Sequence, residues 1–160
     1  MKSMKNIVLV LFFLVFSTVQ YGYAQTLTPT TWKAYGLTFN APSGMAVEDD
    51  SDEGYTISND NYYISVQVLD SEGMTQEEMP QELKNIASDD GVTEVSEVDK
   101  FDLHHFHGVK LGGKCESDNC VYSYLLAKDG GNAFFISIIV RQASGSIMDA
   151  ILKSFKLEEE

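Results

Sequence analysis

The ten residues NAFFISIIVR, 132–141, decide the fold. In an extended strand Phe134, Ile136, Ile138 and Val140 share one face, while Ala133, Phe135, Ser137 and Ile139 share the other. A strand apolar on both faces has to be covered on both. The preceding run CVYSYLLAK, 120–128, has the same character, with Tyr122, Tyr124 and Leu126 opposite Val121, Leu125 and Ala127. Asp129-Gly130-Gly131 between the two runs reads as the tight turn of a hairpin. Two amphipathic helices are available as covers. Met79, Leu83, Ile86 and Ala87 fall at i, i+4, i+7 and i+8, which predicts a helix over 75–89. Thr75 and Glu78 are spaced as a capping box, Pro80 falls in the first turn, and Asp89-Asp90-Gly91 closes the helix. Ile147, Ile151, Leu152 and Phe155 stripe a second helix over 144–155, with Ser144 or Ser146 as N-cap. The economical solution is an α+β fold: one antiparallel β-sheet flanked by a helix on each face, an α/β/α sandwich. A β-sandwich with peripheral helices is the alternative.

Working outward, WKAYGLTF from Trp32, then MAVE, GYTIS and YYISVQVL read as strands of a meander, separated by NAPSG, EDDSDEG and NDN. TEVSEVDKF and LHHFHGVKLGG add two more strands before the decisive hairpin. The folded domain is therefore expected over 32–157. Residues 25–31, QTLTPTT, read as a polar leader, and 158–160 as a solvated acidic tail.

Residues 1–24 have the three parts of a secretory signal peptide. Lys2 and Lys5 give a basic start, and Ile7 to Phe16 is an unbroken apolar run. Gly22 and Ala24 occupy the −3 and −1 positions of a cut before Gln25. The ten-residue run is too short to span a bilayer, which takes about 20 residues as a helix. A short buried helix is the competing reading. The expectation is an exported protein, periplasmic or secreted, with no membrane insertion after cleavage. Among 160 residues, 24 are Asp or Glu and 11 Lys or Arg, a net charge of −13. Cleavage after Ala24 leaves nine basic residues against 24 acidic ones, or −15. This balance argues against nucleic acid and anionic lipid as partners, because both need clustered basic residues.

The two cysteines, Cys115 and Cys120, flank the turn-prone segment ESDN. In an oxidising compartment this pair reads as a disulfide stapling a hairpin tip. A metal site would need two more ligands, and free thiols are the third possibility.

YGLTFNAPSG (Tyr35 to Gly44), the early helix, and the closing strand plus helix ending ILKSF (Ile151 to Phe155) resemble the PsbP-like superfamily. That group includes photosystem extrinsic proteins, a nuclear Ran-binding factor and many small exported bacterial proteins. The resemblance spans roughly 32–157 in element order and implies an α/β/α sandwich. It implies assembly or binding rather than a reaction, and it transfers no binding residue to this chain.

His104, His105 and His107 are the candidate chemistry. On a strand His105 and His107 face the same way, and two imidazoles at i, i+2 can reach one Zn²⁺ or Cu²⁺. A partly exposed polar strand is the plainer reading. The Asp49–Glu53 loop fits a calcium-loop spacing loosely, against the plainer reading of a solvated acidic connection. For hydrolysis, Ser144 and Ser146 lie in SGS without the second glycine of a nucleophile elbow, and phosphate-cradling glycine loops are missing. Trp32, Tyr35, Tyr62, Tyr63, Tyr122 and Tyr124 could line a groove, or pack across strands. The sequence therefore points to an exported, non-catalytic binding or assembly module that needs no cofactor. Its expected partner is another envelope or extracellular protein. The rival is a divalent-cation-binding protein using the His104–His107 strand or the Asp49–Glu53 loop, and an unrecognised hydrolase comes third.

Overall fold

A computed structural model describes residues 26–142 and 145–159. The expected signal peptide, residues 1–24, and the N-cap candidate Ser144 lie outside the described residues. The chain order is β1 (Leu27–Trp32), β2 (Leu37–Pro42), β3 (Ala46–Asp50), β4 (Gly54–Ser58), β5 (Tyr62–Leu69), α1 (Met79–Asp89), β6 (Asp99–Asp102), β7 (Phe106–Cys115), β8 (Asp118–Ala127), β9 (Ala133–Val140), α2 (Gly145–Lys153) and β10 (Lys156–Leu157).

Seven strands form one antiparallel sheet in the order β3-β4-β5-β9-β8-β7-β6. The doubly apolar strand β9 lies inside it, between β5 and β8. Its two faces feed two separate cores. Phe134, Ile136, Ile138 and Val140 join Met148, Ile151 and Leu152 of α2 on one side. Ala133 and Phe135 join Met79, Leu83 and Ala87 of α1 on the other. β8 divides in the same register, with Leu125 and Ala127 on the α2 side and Tyr122 and Tyr124 on the α1 side. The α/β/α sandwich is the observed fold.

One expectation is corrected: there are two sheets. β1, β2 and β10 form a small second sheet, order β1-β2-β10, that brings Trp32, Leu37 and Phe39 into the α2-side core. Residues 27–31 of the expected polar leader are thus strand β1, paired with β2 from Leu27↔Pro42 to Trp32↔Leu37. Their alternating polar side chains hid the strand, which rests on cross-strand contacts such as Thr31 Oγ1 with Thr38 Oγ1 at 2.9 Å. The WKAYGLTF run is split by a turn at 33–36, where Gly36 takes φ +60°.

Helix α1 starts at Met79 rather than Thr75, with Pro80 in its first turn where a missing N–H is harmless. Thr75 still holds Glu78, its N–H and hydroxyl donating to Glu78 Oε2 at 2.9 and 3.0 Å. The pair closes a single turn ahead of the helix rather than its cap. The second helix ends at Lys153, two residues short of the expected 155, because the chain turns at Ser154 into β10. Of TEVSEVDKF, residues 93–101, only 99–101 pair in β6, while Thr93 makes an isolated bridge to Lys114.

Candidate functional site

A depression of about 820 Å³ opens at one end of the large sheet. Its walls are the β5–α1 connection, residues 69–77, and the β8–β9 turn around Lys128, Gly130 and Gly131, with His107 of β7 beside them. Asp70-Ser71-Glu72-Gly73 is a run of turn formers, so the chain leaves β5 as an open loop before Pro80 restarts a helix. Ser71 Oγ donates to Gly131 O at 3.3 Å and ties the two walls together.

His107 has a side-chain partner here. Its Nδ1 lies 2.8 Å from Asp102 Oδ1, across the Asp102↔His107 register of β6 and β7. An ionised carboxylate only accepts, so the imidazole donates from Nδ1, which in the neutral ring leaves the lone pair on Nε2. That hydrogen bond holds the Asp102 carboxyl below its usual range, with the nearby Lys128 charge adding to it. An oriented imidazole of this kind is a general-base element, and it needs a hydroxyl or water placed against Nε2. The cleft's own hydroxyls are engaged elsewhere, Ser71 with Gly131 O and Thr75 with Glu78.

The other histidines are drawn apart from His107. His104 and His105 stand in the tight connection between β6 and β7, their rings 4.5 Å apart and nearly perpendicular. Ligand atoms of His104, His105 and Glu159 come within 4.8 Å of one another, the group among the described residues that could hold a metal ion. The sequence paired His105 with His107; the structure instead gathers His104 and His105 with Glu159. The reason is the turn: β7 begins at Phe106, so His105 is not in register with His107 along one strand. Leu157 N–H donates to His105 Nδ1 at 3.2 Å. This puts the imidazole proton on Nε2, whereas metal-bound histidines usually present one free lone pair and donate from the other nitrogen.

The Asp49–Glu53 segment is a β-hairpin connection, with Asp49 and Asp50 on β3 opposite Thr56 and Tyr55. It is not a helix-flanked loop. Trp32 Nε1 donates to Ser51 O at 2.7 Å and Tyr35 Oη to Asp52 O at 2.8 Å. These carbonyls, which a calcium loop would turn inward, already have protein partners.

Cys115 and Cys120 are joined as a disulfide, with Cα atoms 5.8 Å apart at the β7–β8 tip. Of the aromatic residues, Trp32, Tyr55, Tyr122 and Tyr124 are buried in the two cores, whereas Tyr63 is exposed on β5. Tyr122 Oη donates to Asp90 Oδ2 at 2.8 Å, and burial with this bond pushes its pKa well above the ordinary phenol value. Lys128, Asn132 and the 70–77 loop escaped the sequence reading. Their signal was a connection of nine residues between β5 and α1, long for a compact domain.

The fold defines the class, a mixed α/β sandwich built on an antiparallel sheet. The chain belongs to the Dihydro-orotase-like family, whose model matches residues 43–144 and so spans α1, the histidines and the disulfide. Among solved structures it is similar to the Saccharomyces cerevisiae Ran-binding protein Mog1p, with TM-score 0.59 and 12% identity over 84% of this chain and 96% of that one. A point mutant of the protein Mog1 matches with TM-score 0.59 and 10% identity, covering 82% of this chain and 96% of that one. At these identities the likeness is one of fold. No curated protein matches the chain.

Proposed function

We propose that the protein is an exported, non-catalytic binding or assembly module whose partner is another protein of the envelope or extracellular space. The observation that carries this reading is the form of the site: a broad open cleft walled by polar and acidic loops. Its hydroxyls, on Ser71 and Thr75, are already bonded to other groups, and its imidazole is bonded to Asp102. The fold of a protein named for binding Ran supports a protein partner, since the same sandwich there serves recognition. The signal-like sequence of residues 1–24 and the Cys115–Cys120 bridge support export. With 24 acidic residues against 11 basic ones, a basic or neutral partner surface fits best.

The test is capture of a stoichiometric partner from the native envelope by the mature chain, followed by calorimetry with both purified proteins. Binding that weakens as salt rises is the expected result. Salt-independent binding to an acidic partner would contradict it. The family's name keeps a hydrolase reading in view, and turnover of dihydro-orotate by purified protein would replace the module reading outright. For the cation reading, the His104–His105–Glu159 group is the place to look. Stoichiometric Zn or Cu lost on His104→Ala with His105→Ala would establish it.

A further inference from the structure

His104 and His105 are the two central residues of the turn between β6 and β7, which Leu103 N–H closes onto Phe106 O at 2.9 Å. Neighbouring side chains on an extended strand point to opposite faces. The turn cancels that alternation and holds the two rings with centroids 4.5 Å apart. A second anchor is Lys128 N–H, which donates to His105 O at 2.9 Å and fixes the turn just past the end of β8.

The third member of the group arrives from the other end of the domain. β10 pairs with β2 through Lys156↔Thr38 and Leu157↔Leu37, and Glu158 N–H donates to Gly36 O at 2.7 Å. This pairing sets where Glu159 lies, with a carboxylate oxygen and one nitrogen of each imidazole all within 4.8 Å of one another. Among the described residues none of the three takes part in an ion pair. Two imidazoles and a carboxylate suit a divalent ion of the zinc–copper class, whereas calcium and magnesium take oxygen ligands. Three protein ligands leave a further position open to water.

His105 carries a contact that such an ion must displace. Leu157, on the outer strand of the small sheet, donates its N–H to His105 Nδ1 at 3.2 Å. A neutral imidazole has one lone-pair nitrogen and one N–H. An ion on Nδ1 takes the lone pair that Leu157 uses. An ion on Nε2 sends the ring proton to Nδ1, where two N–H groups then face each other. By either nitrogen, binding through His105 removes the acceptor of Leu157 N–H.

We infer that the β6–β7 turn is a binding site for a divalent transition-metal ion, held by His104, His105 and Glu159, and that loading it exchanges the Leu157–His105 hydrogen bond for a metal bridge to Glu159. Segment 156–159 thus gives up one contact to the turn and gains another, so occupancy is felt at β10. None of the three ligands lines the cleft at 69–77, so metal titration and partner capture succeed or fail independently.

The probe is Zn²⁺ alone, titrated by calorimetry into the tag-free mature chain in a buffer that does not bind metal, with ¹⁵N amide spectra recorded alongside. One equivalent should bind, and in step with it the Leu157 amide should shift and exchange with solvent faster. His104→Ala with His105→Ala should weaken Zn²⁺ by at least about tenfold, since losing merely the hydrogen-bond partner of a ligating histidine costs that much. Glu159→Gln should also weaken it roughly tenfold. Glu159 is exposed near the C-terminus, so this variant keeps the fold and serves where the double histidine variant does not fold. Asp49→Asn with Asp50→Asn removes acid from β3 and should leave Zn²⁺ affinity unchanged. An equal loss there would overturn the site, because net charge alone would then explain binding. Full-affinity binding by the folded double histidine variant would overturn it as well. So would tight binding with the Leu157 amide unmoved, because His105 is then not a ligand. Failure of Zn²⁺ to bind overturns it outright.

Discussion

Reduction of the Cys115–Cys120 bridge measures how far the fold depends on its staple. The bridge closes a loop of sequence separation 5. For a loop that short, the chain-entropy model assigns about 2 kcal/mol to the constraint on the unfolded chain. In the folded chain Cys115 pairs with Asp118 and Cys120 with Gly113, so the bridge runs diagonally across a ladder that is already paired. It therefore adds little native contact, and the unfolded-state value is the working magnitude. For a domain of this size each kcal/mol moves the midpoint by about 3–5 °C, so reductant should lower it by about 6–10 °C. The assay is thermal unfolding followed by circular dichroism with and without a phosphine reductant. Cys115→Ala with Cys120→Ala should be insensitive to reductant. It should also lie somewhat lower still, because Cys120 is 2% exposed and its sulfur fills the α1-side core. A loss below about 2 °C would refute the entropy argument by showing that the reduced, unfolded chain keeps the hairpin closed. A loss above about 15 °C would refute it from the other side, making the bridge a condition of folding.

Gly113→Ala should cost about 1–3 kcal/mol in denaturant unfolding, because its Cβ would lie 2.8 Å from the Thr93 carbonyl oxygen, which is fixed by paired hydrogen bonds to Lys114. Gly108→Ala should cost less despite a 2.5 Å approach to Phe101, because that ring sits on edge strand β6 and can swing aside. An equal or larger loss at Gly108 would show that β6 is rigid. In a carbon-detected NMR titration Asp102 and Asp149 should titrate below the ordinary carboxylate range, held down by His107 in one case and by Lys110 and Lys153 in the other. His107→Gln and Lys110→Met should each return their partner toward the usual value. Since both folded values are depressed, their small contributions to stability are present above the unfolded carboxylate pKa and fade as pH falls through the folded one. Tyr122 and Tyr124 have the opposite sign: their raised values leave stability intact below pH ~10 and remove it as pH climbs through the folded values. Alkaline unfolding should therefore shift upward in Tyr122→Phe with Tyr124→Phe.

The legible parts of this fold are those where a side-chain pattern has only one physical outcome. A strand apolar on both faces, as at Phe134 to Val140, must lie between two layers, and so the sandwich could be read from ten residues. Elements stabilised by backbone pairing and cross-strand polar contacts left no such pattern. β1 is written in threonines with Pro29, and β10 is two residues long, so the second sheet was invisible. The site was less legible still. His105 and His107 look equivalent by alternation, but the turn that sends one ring toward Leu157 and the other toward Asp102 depends on where β7 begins.

The two faces of the large sheet are unequal, and the inequality says where function can reside. On the α2 side, Trp32, Leu37 and Phe39 of the small sheet and Phe155 after α2 complete the cover, and Phe39 and Phe155 stack with centroids 4.4 Å apart. That side is a closed core. On the other side α1 packs against β7 and β8, while strand β5 presents Tyr63 and Gln67 to solvent beyond its reach. One helix is too narrow to cover seven strands, since a helix with its side chains is about 10–12 Å across and strands are about 4.8 Å apart. The connection that carries the chain from β5 onto that helix must cross the open margin. It does so as a loop of turn-forming and acidic residues beside Lys128 and the His107–Asp102 pair. Acidic residues are tolerable there because the segment stays in water. The same geometry that leaves this margin without an apolar cover thus leaves a charged, accessible edge, the kind of surface on which binding residues are commonly carried.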